Sequence, residues 1–186
     1  KGRAEARNFE KVSILFTDFK GFTVASEQLS AQDLVNEINT CFQAFDGIID
    51  KYGIEKIKTI GDAYMAAGGL PIPTEDSVRK TVLTALEMQD FIHNRKAKLD
   101  AEGKAGFEMR VGIHTGPVVA GIVGVKKFQY DIWGDTVNTA ARMESSGEIG
   151  RVNISGDTYK LVNKQFECTY RGKIQAKNKG EIDMYI

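Results

Sequence analysis

The sequence predicts one domain of mixed helices and strands, and three observations carry that reading. A short run rich in β-formers, Val12 to Phe16, precedes a stripe of apolar residues at helical spacing: Leu34, Ile38, Phe42, Phe45 and Ile49. Two further strand-like runs, Ile54 to Ile60 and Ala63 to Ala67, are separated only by Gly61-Asp62, the spacing of a hairpin. The 186 residues are 42% hydrophobic and 27% charged, ordinary proportions for a single globular domain with a proper core.

Taken in order, residues 1–10 are charged and read as a linker or helix continuing from something upstream, with the domain itself expected over residues 11–186. The strand from Val12 delivers Asp18 at its end. In Phe19-Lys20-Gly21-Phe22-Thr23, which follows, glycine allows a tight turn, and successive backbone N–H groups there can face an anion. Asp62 repeats the carboxylate 44 residues later, in the Gly61-Asp62 turn. Two aspartates at strand ends are placed to share a pair of divalent metals.

The first long helix is expected to start at a Ser30 cap, with Asp33 three places on, and to stop at Gly53. Gly68-Gly69, Pro71 and Pro73 mark a loop. Thr74 is read as the cap of a second helix carrying Val78, Val82, Leu83, Leu86 and Phe91, which runs out in the charged stretch Arg95 to Lys104. Met109, Val111 and Ile113 alternate with Arg110, Gly112 and His114, a strand with two distinct faces that makes Arg110 a candidate site residue. Gly116, Gly121 and Gly124 are read as punctuating a turn and a further strand, Val118 to Val125. A helix is expected over Asp135 to Met143, with Asn138 and Arg142 four apart on one face. Beyond it the pattern predicts strands at Val152–Ile154, Phe166–Tyr170 and Ile182–Ile186 and a helix at Asp157–Val162, with Lys177 and Lys179 in a polar loop.

Composition excludes several classes of function. Lys plus Arg and Asp plus Glu both number 25, so the chain lacks the basic excess that a nucleic-acid polymer demands. Cys41 and Cys168 are far apart, which argues against a zinc site or disulfide scaffold and fits a reducing, cytoplasmic setting. No apolar run approaches the ~18 residues of a membrane span, so membrane contact by this domain is not expected.

Four segments in register, FTDFKGFT, EKIKTIGDAYMAAGGL, MRVGIHTGPVVAGIVG and FQYDIWGDTVNTAARMES, closely resemble the catalytic domain of the class III adenylyl and guanylyl cyclases. The resemblance runs from about Val12 to the C-terminus. It implies an α+β fold: a ferredoxin-like core whose mainly antiparallel sheet carries helices on one face. It also implies a head-to-tail dimer with catalysis at the interface. The chemistry would be closure of a nucleoside triphosphate to a 3′,5′-cyclic monophosphate, assisted by two metals, Mg²⁺ or Mn²⁺.

Residue by residue, Asp18 and Asp62 match the family's metal-binding aspartates, with the Phe19 carbonyl as a further ligand. An isolated Asp at a strand end is more often a turn or cap residue; its place within two long motifs reverses that preference. The resemblance assigns base reading to Lys56 and Asp131. Adenine offers an acceptor at N1 and a donor at its 6-amino group, which a lysine and a carboxylate complement, whereas guanine inverts that edge. The expected substrate is therefore ATP, and neighbouring Lys58 is read as a solvated strand lysine. Asn138, Arg142 and Lys177 match transition-state residues. Asn178 departs from the usual K-G-K-G of relatives, which leaves Lys179 as the alternative to Lys177. Arg110 corresponds to an arginine near the terminal phosphates.

Because one chain holds both the metal set and the base-plus-transition-state set, a homodimer with two shared, complete sites is expected, regulated by a sensor region upstream. The alternatives are a guanylate cyclase, a non-catalytic nucleotide-binding regulatory domain, and a polymerase-like palm. The last lacks a basic template track in this sequence.

Overall fold

The structure, a computed structural model, describes residues 6–123, 129–176 and 180–186, without the side chains of Phe22 and Gln129. The elements run β1 (Arg7–Lys20), α1 (Phe22–Gln28), α2 (Ala31–Tyr52), β2 (Glu55–Ile60), β3 (Ala63–Gly68), α3 (Ser77–Ala101), β4 (Glu108–Val123), β5 (Gln129–Trp133), α4 (Asp135–Ser145), β6 (Val152–Ser155), α5 (Gly156–Val162), β7 (Tyr170–Ala176) and β8 (Gly180–Tyr185). The sheet order is β2-β3-β1-β4-β6-β8-β7, with β5 also paired to β4. The β1-α2-β2-β3-α3-β4 portion has the ferredoxin-like arrangement, every neighbouring pair antiparallel. Only β4 and β6 run parallel among the described pairs. The expected α+β class and mainly antiparallel sheet are what is found.

Alternation along the central strands sorts the core into two layers. Leu15 and Phe19 on β1 and Met109, Val111 and Ile113 on β4 pack with Phe45 and Ile49 of α2 and with Val78, Val82, Ala85, Met88 and Ile92 of α3. Ile14 and Phe16 face the other way, joining Ile57, Met65, Ala67, Val118, Ala120, Ile132 and Ala140 of α4. Helices therefore lie on both faces: α2 and α3 on one, α4 on the other. The second layer holds residues of β1, β2, β3, β4 and β5 together, so the sheet curls around it and brings β5 back toward β2.

Helix α2 forms as its sequence dictates. Ser30 Oγ accepts from the Asp33 amide at 3.1 Å, and Gly53 closes the helix at φ 69°. Elsewhere the sequence reading needs correction. The strand β1 starts at Arg7, within the stretch read as linker, because buried Phe9 belongs to the second core layer. Helix α3 begins after Asp76 rather than Thr74, and Leu86 is exposed on it. Residues 170–176, not 166–170, form β7.

Up to Val123 the segment read as strand, turn, strand is one strand, β4, and Gly124 and Val125, read as its last part, lie outside the described residues. Gly112 and Gly116 serve close packing rather than a turn. A Cβ at Gly112 would collide with the α4 backbone at Met143 and Glu144, and one at Gly116 would press on Thr136. Glycine at these positions lets α4 lie directly on the sheet.

Candidate active site

The antiparallel register brings the two aspartates together. Asp18 sits opposite Ala63 on β3, next in sequence to Asp62 in the β2–β3 turn. Burial pushes the Asp62 carboxyl above the ordinary carboxylate range, and the negative charge of Asp18 adds to that rise. Lys20 Nζ stands 3.3 Å from Asp18 Oδ2. Arg110, directly across from Asp18 on β4, places Nη2 4.0 Å from the same oxygen.

This donor set fits a small hard cation. Two carboxylates whose repulsion already raises the proton affinity of one would be relieved by a divalent ion, and Mg²⁺ characteristically takes one or two carboxylates plus substrate oxygens. Among the described residues no group of three or more His, Cys, Asp or Glu side chains gathers to form a self-sufficient cage. Remaining ligands would come from backbone, water or nucleotide. The Phe19 side chain is buried and stacks on Phe107 with ring centroids 4.7 Å apart, which fixes the backbone beside Asp18. From there the chain turns at Gly21, φ 78°, and Phe22 and Thr23 open α1.

Lys56 and Asp131 are not brought together. A bulge between Lys56 and Lys58 decides which lysine reaches which face: Lys56 pairs with Ala66 and Lys58 with Met65, residues of opposite core layers. On the α2 side, Lys56 Nζ lies 3.0 Å from Asp46 Oδ1, which also accepts from the Tyr64 hydroxyl at 2.6 Å. Lys58, read as solvated, instead places Nζ 2.9 Å from Asp131 Oδ2. The Asp131 side chain is 13% exposed, and its other oxygen accepts from the Ile132 amide at 2.8 Å. Asp131 thus has a lysine partner, Lys58, while Lys56 is paired with Asp46.

Asn138 and Arg142 share an exposed face of α4 and line a pocket with Gln175 and Ala176 at the end of β7. Among the described residues neither side chain has a hydrogen-bond or ion-pair partner. Lys177 and Lys179, expected next along the chain, lie outside the described residues.

Glu144 was missed by the sequence reading. Its Oε2 is 3.2 Å from Arg110 Nε, and burial followed by the nearby Asp18 charge raises its carboxyl above the ordinary range, opposed by Arg110 and Lys20. The available signal was its place four residues after buried Ala140 and eight after buried Thr136, on the sheet-facing stripe of α4.

A ferredoxin-like core with paired carboxylates at a strand end and an unpaired Asn/Arg helix face defines a nucleotide-cyclase type of catalytic domain. The family model described as adenylate and guanylate cyclase catalytic domain matches residues 4–186, and the chain belongs to that family. It is 39% identical over 175 residues to the adenylate cyclase of Mycobacterium tuberculosis, covering 94% of this chain and 39% of that protein. It is 40% identical over 185 residues to guanylate cyclase soluble subunit beta-2 of Rattus norvegicus, covering 99% of this chain and 27% of that one. The catalytic core of a rhodopsin-guanylyl cyclase with converted specificity, solved with ATPαS, shares a TM-score of 0.89 at 35% identity, covering 97% of this chain and 96% of that one. The chain thus spans well under half the length of these curated relatives.

Proposed function

We propose that this domain is an adenylate cyclase, forming 3′,5′-cyclic AMP and pyrophosphate from ATP at two equivalent sites in a homodimer. The observation that carries the choice of base is the Lys58–Asp131 pair. Its ammonium and carboxylate complement adenine N1 and the 6-amino group. Guanine would leave both groups opposed to like partners, at a cost of about 1–3 kcal/mol for each unpaired buried group. Similarity to guanylate cyclases is just as high over the whole chain, but base choice depends on these few side chains.

In the reaction the 3′-hydroxyl gives up its proton to solvent as its oxygen forms a bond to the α-phosphorus, the bond from that phosphorus to the α–β bridging oxygen breaks, and pyrophosphate departs with that oxygen. Asp18 and Asp62, with the Phe19 carbonyl, would hold two Mg²⁺ or Mn²⁺ ions. When bound, these supply a lowered hydroxyl pKa and neutralisation of the leaving phosphates. The backbone from Phe19 through Lys20, Gly21, Phe22 and Thr23 cradles the phosphates. Arg110 faces the terminal ones. Asn138 orients the ribose, while Arg142 and Lys177, or Lys179 in its place, meet charge developing at the α-phosphate.

The need for a second chain is supported by α4. Glu144 faces the Asp18 side through Arg110, whereas Arg142, two residues earlier, is about 200° away around the helix and faces β7. One nucleotide is therefore better served by aspartates from one protomer and Asn138 and Arg142 from the other. Val119, Val123 and Trp133 share one face of the β4–β5 pair, an exposed apolar surface that suits burial against that second copy.

Among the described residues no helix is long and apolar enough to cross a membrane. A cytoplasmic site of action, where ATP is plentiful, and a regulatory region in the unmatched length of the relatives belong to the same proposal. Product analysis with ATP and GTP in parallel, each with Mg²⁺ and with Mn²⁺, tests it. Cyclic AMP as the dominant product supports the reading, and cyclic GMP as the dominant product overturns it.

A further inference from the structure

We infer that Glu144 is a positioning residue that draws Arg110 away from Asp18 and so keeps that carboxylate available for a divalent cation. The inference rests on the metal assignment proposed above and adds a residue from α4 to that site. Arg110 stands between two carboxylates: Nη2 is 4.0 Å from Asp18 Oδ2, and Nε is 3.2 Å from Glu144 Oε2. The Glu144 side chain is only 12% exposed. Both Arg110 Nε and Glu144 Oε2 are shut away from solvent, yet their alignment makes no hydrogen bond. The guanidinium is held by charge and stands nearer Glu144 than Asp18.

Removing the Glu144 charge leaves Asp18 as the carboxylate within reach of Arg110. A guanidinium settled on Asp18 opposes a metal there by the Coulomb term that shifts proton affinities. An opposite charge within about 4–6 Å moves a carboxyl pKa by about 1–3 units, so the expected loss of cation affinity is on the order of tenfold. The site can thus present Arg110 to phosphate while leaving the aspartates to the metals. Gly112 makes the arrangement possible, because only a missing side chain lets the α4 backbone at Glu144 sit over β4.

The test is direct Mn²⁺ binding to the domain without nucleotide, followed by electron paramagnetic resonance of the free ion. Asp18→Asn should abolish the tightest binding. Glu144→Gln should weaken it on the order of tenfold, and adding Arg110→Gln to that variant should restore the wild-type affinity. Arg110→Gln alone should tighten binding, which keeps the idea testable even where Glu144→Gln does not fold. Wild-type affinity in a folded Glu144→Gln domain overturns the inference. So does weakened binding that Arg110→Gln fails to restore, since a packing role for Glu144 predicts no such rescue, and so does an Arg110→Gln variant no tighter than wild type. Unchanged binding in Asp18→Asn removes the metal assignment itself, and this inference with it.

Discussion

Lys58 Nζ lies 2.9 Å from Asp131 Oδ2, joining β2 to β5 although β3, β1 and β4 intervene in the sheet. The contact exists because the sheet curls around its second core layer and because a bulge turns Lys58, not Lys56, toward that layer. Substituting each lysine separately should show the difference. Lys58→Ala should lower kcat/KM for ATP by about 10–100-fold, the cost of an unpaired buried partner. Lys56→Ala, which loses an ion pair to Asp46 that is 40% and 44% exposed, should stay within about threefold of wild type. Equal losses in the two variants would return Lys56 to the base-reading role.

Metal removal and pH should act through Asp62. Its folded-state pKa is raised above the unfolded value of about 3.9, so the native state binds this proton more tightly. Stability without metal is therefore highest below the unfolded pKa and falls as pH rises through the folded value. Asp62→Asn lacks this loss, and its Tm in EDTA should exceed that of wild type at pH 7, with the gain vanishing below about pH 4. Added Mg²⁺ should stabilise wild type and leave the variant unmoved. A variant less stable than wild type in EDTA at neutral pH contradicts the electrostatic account of this pair.

The shared site predicts rescue between dead chains. Asp18→Ala and Arg142→Ala should each reduce turnover by at least about 100-fold while folding normally. Mixed, they form dimers in which one site carries both lesions and the other carries neither, so each mixed dimer should show half the wild-type activity. Trp133→Glu, placed in the exposed apolar surface of β5, should weaken self-association and make activity steeply dependent on protein concentration. A verified mixed dimer without activity would defeat the interfacial arrangement.

Gly112→Ala tests the close seat of α4. The added methyl has backbone rather than a flexible side chain in its way, so the variant should lose about 3 kcal/mol of stability or fail to fold. Gly61→Ala, with open space around the position but φ at 58°, should lose only about 1 kcal/mol of stability. Thermal or denaturant unfolding of the two variants decides it, and comparable stabilities would contradict the packing argument.

What the sequence revealed and hid follows from how local each signal is. The α2 helix announced itself through a five-residue apolar stripe and caps at both ends, and the β2–β3 hairpin through a two-residue gap. Gly112 and Gly116 of β4 misled because their reason lies in α4, which packs over them from twenty or more residues away. Helix α1, with seven residues and no side-chain cap, had nothing local to declare it. At the site, period-two alternation places Lys56 and Lys58 on one face, and only the bulge separates them. Glu144 looked like another charge on a polar helix until the sheet placed Arg110 beneath it.

Whether Lys58 and Asp131 choose the base is tested most directly by the ratio of kcat/KM for ATP over GTP in wild type and in Lys58→Glu/Asp131→Cys. Wild type should favour ATP. The double variant, assayed as a folded dimer, should move the ratio toward GTP by about 100-fold or more, as expected when two hydrogen-bonding groups are inverted against the base edge. A wild-type preference for GTP, or a ratio unchanged by the double substitution, would contradict that role.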